Sequence, residues 1–226
     1  MRVCGKNVFN ELNIKTIRKV YIADNFKDKS IIEKIKQNKI RYVNMDSKSM
    51  DALMKHNQGI IIEVDDYEYK TLDEIHGDPL VVMLDHLEDP HNFGAIIRTC
   101  EALGVDAIII PNDRSVSVNA TVVKTSAGAI SHIKIVRVAN LTATINKLKG
   151  IGYWIVGTDM KGTDYTKIDY NIPVCLVIGN EGSGMSKIVR DNCDYIATIP
   201  MEGKVNSLNA SVSLAIVLSR IVSSRG

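Results

Sequence analysis

The chain has 226 residues, of which 45% are hydrophobic and 24% charged, a composition typical of a globular protein with one main core. It has no signal-peptide-like apolar segment at its start and no stretch approaching the roughly 18 apolar residues that span a bilayer, so we expect a cytoplasmic protein without a membrane partner. The four cysteines are scattered without CxxC spacing, which indicates free thiols and argues against a zinc site or a disulfide framework.

The net charge of +2 is unevenly distributed along the chain. Residues 1–70 hold 14 Lys and Arg against 10 Asp and Glu, whereas residues 71–226 hold 14 against 16. The runs KVYIAD, IRYVNM and GIIIEV predict strands, and segments 30–37 and 47–55 predict helices. The first third is therefore predicted to form a small basic α/β module, and its positive charge is typical of a nucleic-acid-binding element.

A polar segment with Gly77 and Pro79 interrupts the pattern, so we divide the chain into a module at 1–68, a linker at 69–79 and a main domain at 80–226. In the main domain, predicted strands alternate with helical stretches, which predicts a mainly parallel sheet with helices on both faces. The strands are LVVMLD, AIIIP, IKIVRV, YWIVGTD, VCLVIG and YIATIP. Trp154, inside YWIV, is expected in the core.

The segment LDHLEDPHNFGAIIR joins a buried strand to a helix that carries Asn92, Gly94 and Arg98. Glycine lets the backbone approach a ligand closely, and the two polar residues supply hydrogen-bond donors at the carboxyl end of a strand, where open α/β sheets place ligands. Taken alone, the segment also fits an Asn helix cap followed by a solvated Arg.

The segment VCLVIGNEGSGMSK places Gly179, Asn180, Glu181 and Gly182 directly after a buried strand. Its glycine order is GxxGxG, so it is not the GxGxxG dinucleotide fingerprint, and no GxxxxGK[ST] phosphate loop occurs in the chain. A tight connection is the alternative interpretation.

A third segment, YIATIPMEGKVNSLNAS, leads from a strand into the last helix. Ser207 or Asn206 is expected to cap that helix, with Asn209 and Ser211 in its first turn. If the three strands are neighbours, the polar groups at their ends converge on one pocket.

Together, NFGAIIR, IGNEGSGM and IPMEGKVNSLNASVSLAI resemble the three signature motifs of the SpoU family of RNA ribose methyltransferases, in the SPOUT superfamily. Connecting pieces such as KTSAGAISHIKIVRVANL resemble the subgroup that methylates a guanosine of large-subunit ribosomal RNA. The front, with VCGKNVFNEL, is similar to that subgroup's small substrate-binding domain of ribosomal-protein-like fold.

The resemblance implies a C-terminal deep trefoil knot, an exception to the rule that chains avoid knots. It also implies an obligate homodimer, with the active site at the interface, that acts on RNA rather than DNA. S-adenosylmethionine is the implied methyl donor, and no metal is required. The residues matching the family's donor pocket are Gly157, Thr158, Gly179, Asn180, Gly182, Ile199, Met201, Leu208 and Asn209.

The implied catalytic residues are Arg98, Asn92, Glu181, Ser207 and Asn209. The family's arginine is sometimes assigned as general base, yet a guanidinium normally stays protonated far above neutral pH. A clamp on the phosphate beside the target ribose is the better physical role for Arg98.

Other interpretations stay open at this point. His86 and His91 are acid/base candidates or loop spectators, and Asp85 and Asp89 are a metal pair or turn residues. A methyltransferase acting on transfer RNA or another ribosomal site, a non-catalytic RNA-binding assembly factor, and an oxidoreductase lacking its fingerprint are the competing functions.

Overall fold

The computed structural model describes residues 1–75, 80–205 and 207–225 and contains two β-sheets. The first sheet and its helices come from the front of the chain: β1 (Arg2–Cys4), α1 (Lys6–Glu11), β2 (Ile17–Ala23), α2 (Lys29–Gln37), β3 (Tyr42–Met45), α3 (Ser47–Leu53) and β4 (Ile60–Val64). Its strand order is β1-β4-β2-β3, with β2 and β3 parallel and the other pairs antiparallel. The three predicted strands and two predicted helices are present, and β1 and α1 are additions.

The second sheet has six strands: β5 (Leu80–Leu84), β6 (Ala107–Pro111), β7 (Lys134–Val138), β8 (Trp154–Asp164), β9 (Val174–Ile178) and β10 (Tyr195–Thr198). The helices between and after them are α4 (Pro90–Ala102), α5 (Ala120–Thr125), α6 (Leu141–Gly150), α7 (Lys187–Asp191) and α8 (Ala210–Ser223). Every strand pair in this sheet is parallel, which confirms the predicted α/β architecture. No helix within the described ranges is long and apolar enough to span a bilayer.

Helices cover both faces of the six-stranded sheet. Alternate side chains of β5 point to opposite faces, as strand geometry requires. Leu80, Val82 and Leu84 pack in the core with α4, α5 and α8, whereas Val81 and Met83 pack with α6 and α7. Burial on both faces explains why the strand sequence is continuously apolar rather than alternating.

The strand order is β10-β8-β9-β5-β6-β7, and the topological switch point of this parallel sheet lies between β5 and β9. From β5 the chain winds outward through β6 and β7, and it then crosses to build β8, β9 and β10 on the other side. Loops at such a switch point leave in opposite directions and open a crevice at the carboxyl ends of the strands. The loops after β5 and β9 therefore flank the expected ligand position.

The front module packs directly on the main domain through α5. Val123 of α5 is buried among the residues of the first sheet's core, and Val118 and Ala120 pack against the same core. Within the predicted linker at 69–79, Lys70 pairs with Val136 at the sheet edge and a 3₁₀ turn follows at Leu72–Glu74. Residues 76–79 lie outside the described ranges.

Trp154 is 41% exposed, so its predicted place in the core is wrong. The residue begins β8 beside the edge strand β10 and stacks on Tyr195 with ring centroids 5.3 Å apart. The other residues of the run YWIV, Tyr153, Ile155 and Val156, are buried, so Trp154 is the one position of this run that faces solvent.

Gly94 is required by close packing between α4 and α5. A Cβ at Gly94 would lie 1.8 Å from Thr125 Oγ1 and 2.7 Å from Thr125 Cβ, so the glycine lets α4 and α5 pack closely.

We predict that Gly94→Ala lowers the free energy of unfolding by about 1–3 kcal/mol, the usual range for overpacking. Gly150→Ala is the matched control, since a Cβ there meets nothing within 4 Å. The midpoint of urea unfolding measures both variants. Equal midpoints would show that α5 can move away without loss.

Candidate active site

The loops after β5 and β9 are joined at the switch point. The backbone N–H of Asp85 donates to Ile178 O at 2.8 Å, and the side-chain amide of Asn180 donates to His86 O at 2.8 Å. Two strands adjacent in the sheet thus continue into two loops that are hydrogen-bonded to each other.

Asp85 fixes the far end of the β9 loop. Its carboxylate is only 1% exposed and accepts hydrogen bonds from Ser186 N at 2.6 Å and Ser186 Oγ at 2.8 Å, while its other oxygen lies 2.5 Å from His86 Nδ1. Asp89 instead caps α4 by accepting from His91 N. Both carboxylates already have hydrogen-bond partners within the fold, which favours turn roles over the metal pair.

Asn180 organises the glycine-rich loop. Its Oδ1 accepts from Gly182 N at 2.9 Å and from Ser183 N at 3.2 Å, and its backbone pairs with Gly184. The side chain is therefore used within the loop. If Asn180 and Gly182 contact a bound methyl donor, they do so through atoms that these hydrogen bonds do not use.

A chain of amide hydrogen bonds links all three signature segments. Asn92 Nδ2 donates to Glu181 Oε1 at 3.1 Å, and Asn209 Nδ2 donates to Asn92 Oδ1 at 2.9 Å. Asn92 is 9% exposed, so its amide is held at both ends in a largely buried position. The convergence of the three strand ends expected from the sequence is present.

Asn209, rather than Ser207 or Asn206, caps the last helix. Its Oδ1 accepts from Ser211 N at 2.9 Å and from Ser211 Oγ at 2.6 Å, which places Asn209 before the first turn and not in it. Ser207 lies exposed two residues earlier, and Asn206 lies outside the described residues. The Asn209 side chain accepts from the first turn of α8 and donates to Asn92 at the same time.

Arg98 lies outside this amide chain. Six residues after Asn92 on α4, it is about 9 Å further along the helix axis and on a different side. Its exposed side chain lines a cleft of about 240 Å³ with Glu11 of α1, Glu101, His132 and residues 127–129. Within one chain, the predicted catalytic arginine therefore faces the front module.

The predicted donor-binding segments lie side by side: Gly157 and Thr158 are within β8, and the other two segments follow β9 and β10. Thr158 Oγ1 donates to Val177 O at 3.2 Å, and Thr198 Oγ1 donates to Asp159 O at 2.9 Å. Pairing of β8 with β10 jumps from Gly157 to Thr163, so the intervening residues bulge out of the ladder. Bulges of this kind are frequent beside active sites.

Gly157 and Gly179 are required by close packing of the protein itself. A Cβ at Gly157 would lie 2.7 Å from Met185 Cε and 2.8 Å from Cys193 Sγ, and one at Gly179 would lie 2.3 Å from the backbone of Gly184. Burial raises the pKa of the Cys193 thiol to about 12, so this sulfur stays protonated and acts as packing.

The remaining predicted donor residues suit an adenosine-containing ligand. Ile199 and Leu208 are partly buried and Met201 is 39% exposed, so part of their apolar surface is left uncovered. Apolar walls with a few polar backbone groups are the usual lining of cofactor sites. The residues present thus fit the expected donor in kind.

The amide chain yields a prediction about Asn209. Asn209→Ala removes the cap and is expected to cost about 1 kcal/mol of stability. Asn209→Asp keeps an acceptor for Ser211 but cannot donate to Asn92. A flip of the Asn92 amide does not restore the chain, because it would turn the Asn92 oxygen toward the Glu181 carboxylate.

We therefore expect Asn209→Asp to unfold near the wild-type midpoint while binding S-adenosylmethionine more weakly, as calorimetry would measure. Wild-type affinity in this variant would show that the link to Asn92 is dispensable.

Comparison with known families identifies both parts of the chain. Residues 79–219 match the model of the SpoU rRNA Methylase family, and residues 2–70 match a model described as RNA 2'-O ribose methyltransferase substrate binding. The substrate-binding match ends at residue 70 and the methylase match begins at residue 79.

Full-length relatives agree with these matches. The chain is 42% identical to a protein of Staphylococcus saprophyticus and 39% identical to YacO of Bacillus subtilis, both assigned to the TrmH family of tRNA/rRNA methyltransferases. In each case the match covers 99% of this chain and 95% of the relative.

Solved structures share the whole fold. The SpoU methyltransferase AviRb of Streptomyces viridochromogenes, in complex with its cofactor AdoMet, matches with a TM-score of 0.86 and 26% identity, over 100% of this chain and 90% of that one. An AdoMet-bound rRNA methyltransferase of Sinorhizobium meliloti matches with a TM-score of 0.81 and 26% identity, over 97% and 85%. With matches in family, full length and fold, the chain belongs to the SpoU family of RNA methyltransferases, which use S-adenosylmethionine as methyl donor.

Proposed function

We propose that this protein methylates the 2′ hydroxyl of a ribose in RNA, and that its target is a guanosine in the peptidyl-transferase loop of large-subunit ribosomal RNA. The observation that carries the proposal is the amide chain through Asn92, Glu181 and Asn209, which joins three signature segments at the switch point. The likeness of the connecting pieces to the guanosine-methylating subgroup supports the narrower target.

The proposed mechanism assigns positioning and charge stabilisation to the protein. When bound, S-adenosylmethionine supplies a methyl group made electrophilic by its sulfonium. Arg98 grips the phosphate next to the target ribose through paired N–H donors and favours the oxyanion that develops on the 2′ oxygen as the hydroxyl proton passes to solvent water. Asn92, fixed by Glu181 and Asn209, orients the ribose. Ser207 belongs to the loop that precedes α8, next to this site.

We assign residues 1–68 to RNA substrate binding, 69–79 to a connecting segment and 80–226 to methyl transfer. The separate first sheet and the substrate-binding match over residues 2–70 support the division. A ribosomal-protein-like fold for the front module is part of this proposal, as is a cytoplasmic location, where ribosomal RNA is assembled.

We also propose that the C-terminal segment is threaded through a trefoil knot. After the edge strand β10, the chain returns across the sheet so that α8 packs against α4 and β9. That return passes the loop after β9, to which Asn209 is linked through Asn92. In the proposed knot, the returning segment passes through this loop.

A homodimer would complete the active site. Within one chain, the described residues that line a cleft with Arg98, Glu11 and His132 among them, include none of the predicted donor-binding residues, and in the proposed dimer the second subunit brings its arginine to them. Val212 on α8 is 46% exposed, and Met201 and Val205 leave further apolar surface uncovered nearby. An uncovered apolar surface of this kind marks an interaction site.

Relatives assigned as tRNA/rRNA methyltransferases keep transfer RNA as the second candidate substrate. Mapping 2′-O-methyl groups in ribosomal and transfer RNA from cells with and without the gene distinguishes the two. Loss of a single ribosomal guanosine methyl group is the expected result, whereas an unchanged methylation map would refute the enzyme assignment.

Arg98→Ala is predicted to lower methyl transfer by at least about 100-fold, the usual loss when a donor to a developing oxyanion is removed. Because Arg98 is exposed, the melting temperature and the affinity for S-adenosylmethionine should stay at wild-type values. Arg98→Lys should retain part of the activity, since it keeps the charge but not the paired donors. Lys147→Ala, an exposed cation on α6, is the control, and full turnover in Arg98→Ala would disprove the assignment.

Val212→Glu is predicted to convert the dimer to monomer and to abolish methyl transfer, because a charge would be buried in the proposed interface. Ile151→Glu is the matched control, since Ile151 is 61% exposed at the end of α6. Sedimentation velocity measures the mass of each. A monomeric wild-type protein with full activity would rule out the shared active site.

A further inference from the structure

The front module contains a second cleft, separate from the one that holds Arg98. It has a volume of about 450 Å³ and opens where β2 ends. Four segments line it: Lys6 on α1, residues 23–27 after β2, Ser47 and Asp51 on α3, and residues 57–59 before β4. The volume falls within the range of small-ligand sites and suits a single nucleotide.

The cleft combines an aromatic ring with ammonium groups. Phe26 is partly buried, and Lys6 Nζ lies 5.2 Å from the centroid of its ring and 3.7 Å from Asp28 Oδ2. Lys27, next to Phe26, is exposed. Aromatic rings on which bases stack and cations that contact phosphates are the two elements of single-stranded nucleic-acid sites.

Side-chain amides supply hydrogen-bonding groups at the rim. Gln58 Oε1 accepts from Lys6 N at 3.2 Å, which fixes the amide and directs its NH₂ group away from that bond. Asn25 is exposed at the end of β2. Sequence-selective RNA recognition reads the edges of unpaired bases with donors and acceptors of this type.

The wall of the cleft at residues 56–59 is held rigidly. Asn57, only 5% exposed, donates to Asp51 Oδ1 at 2.9 Å and Met54 O at 2.8 Å and accepts from Gly59 N at 2.8 Å. His56, Gln58 and Gly59 all have positive φ values, of 57°, 56° and 79°. Two non-glycine residues in this conformation cost free energy, and such strain concentrates at functional sites.

Close packing at Gly59 brings this wall against the aromatic ring. A Cβ there would lie 3.0 Å from Phe26 Cδ2, so a side chain would press on the ring. A packing defect would be lined by apolar side chains, whereas this cleft is lined mainly by amides and charges around one ring.

We propose that this cleft binds one unpaired nucleotide of the RNA substrate, with its base stacked on Phe26 and its phosphate between Lys6 and Lys27. The proposal rests on the proposed function in one respect, namely that the front module grips RNA. It adds the site, the nucleotide state and the residues that recognise it.

Ultraviolet crosslinking of the full-length protein to total RNA from cells lacking the gene tests the site without assuming a target. Mass spectrometry of the crosslinked peptides should locate nucleotides on residues 25–27 or 56–59. Crosslinks confined to other segments of the module, or none in the module, would overturn the proposal.

Affinity measurements test the stacking role of Phe26. Phe26→Leu keeps an apolar side chain for the core but removes the ring, and it should weaken binding of a fluorescein-labelled transcript of the peptidyl-transferase region about 5-fold or more. Phe26→Tyr keeps the ring and should bind within about 2-fold of wild type. Equal affinities for the leucine and wild-type proteins would contradict stacking.

Lys27→Gln should weaken binding of the same transcript and lower the salt dependence of binding by about one phosphate contact. Lys36→Gln, an exposed cation on α2 away from the cleft, is the matched control. A salt dependence that is the same for both lysine variants would remove Lys27 from the site.

Methyl transfer measured in parallel separates the two proposals. Phe26→Leu should raise the KM for RNA while leaving kcat and the affinity for S-adenosylmethionine unchanged. If the wild-type protein methylates no RNA, the proposed function fails, yet the crosslinks still decide the cleft. If transfer proceeds with the same KM in Phe26→Leu, the cleft is refuted and the function stands.

Discussion

The buried amide of Asn92 is the contact on which the arrangement of the site depends. It donates to Glu181 and accepts from Asn209, so the first helix after β5, the loop after β9 and the start of α8 are fixed relative to one another. An amide has a donor end and an acceptor end, which gives the chain a direction that a carboxylate or a hydroxyl would not impose.

A second constraint acts on the other side of the crevice. The Asp85 carboxylate is removed from solvent and is satisfied by Ser186, so the β9 loop is held at both its beginning and its end. A buried carboxylate without these donors would be strongly destabilising. The hydrogen bonds therefore restrict the conformation of the β9 loop, and this holds the backbone of Glu181 in place.

Sequence patterns predicted the features that depend on long apolar runs. The central strands β5, β6 and β9 were predictable because both faces of each are buried. The three strand-end segments were predictable because each concentrates glycine, amide or hydroxyl groups directly after an apolar strand. The position of the α8 cap was not, since Ser207, Asn206 and Asn209 are all good caps and only the contact with Asn92 selects the last. The role of Gly94 depends on Thr125, about thirty residues away, and the exposure of Trp154 depends on the place of β8 beside the sheet edge.

Val123 belongs by sequence to the large domain and by packing to the core of the small one. A side chain shared in this way couples the two bodies, so they are not free to turn independently. The proposed nucleotide cleft and Arg98 are therefore held at one separation, and the parts of an RNA that contact them must lie the same distance apart.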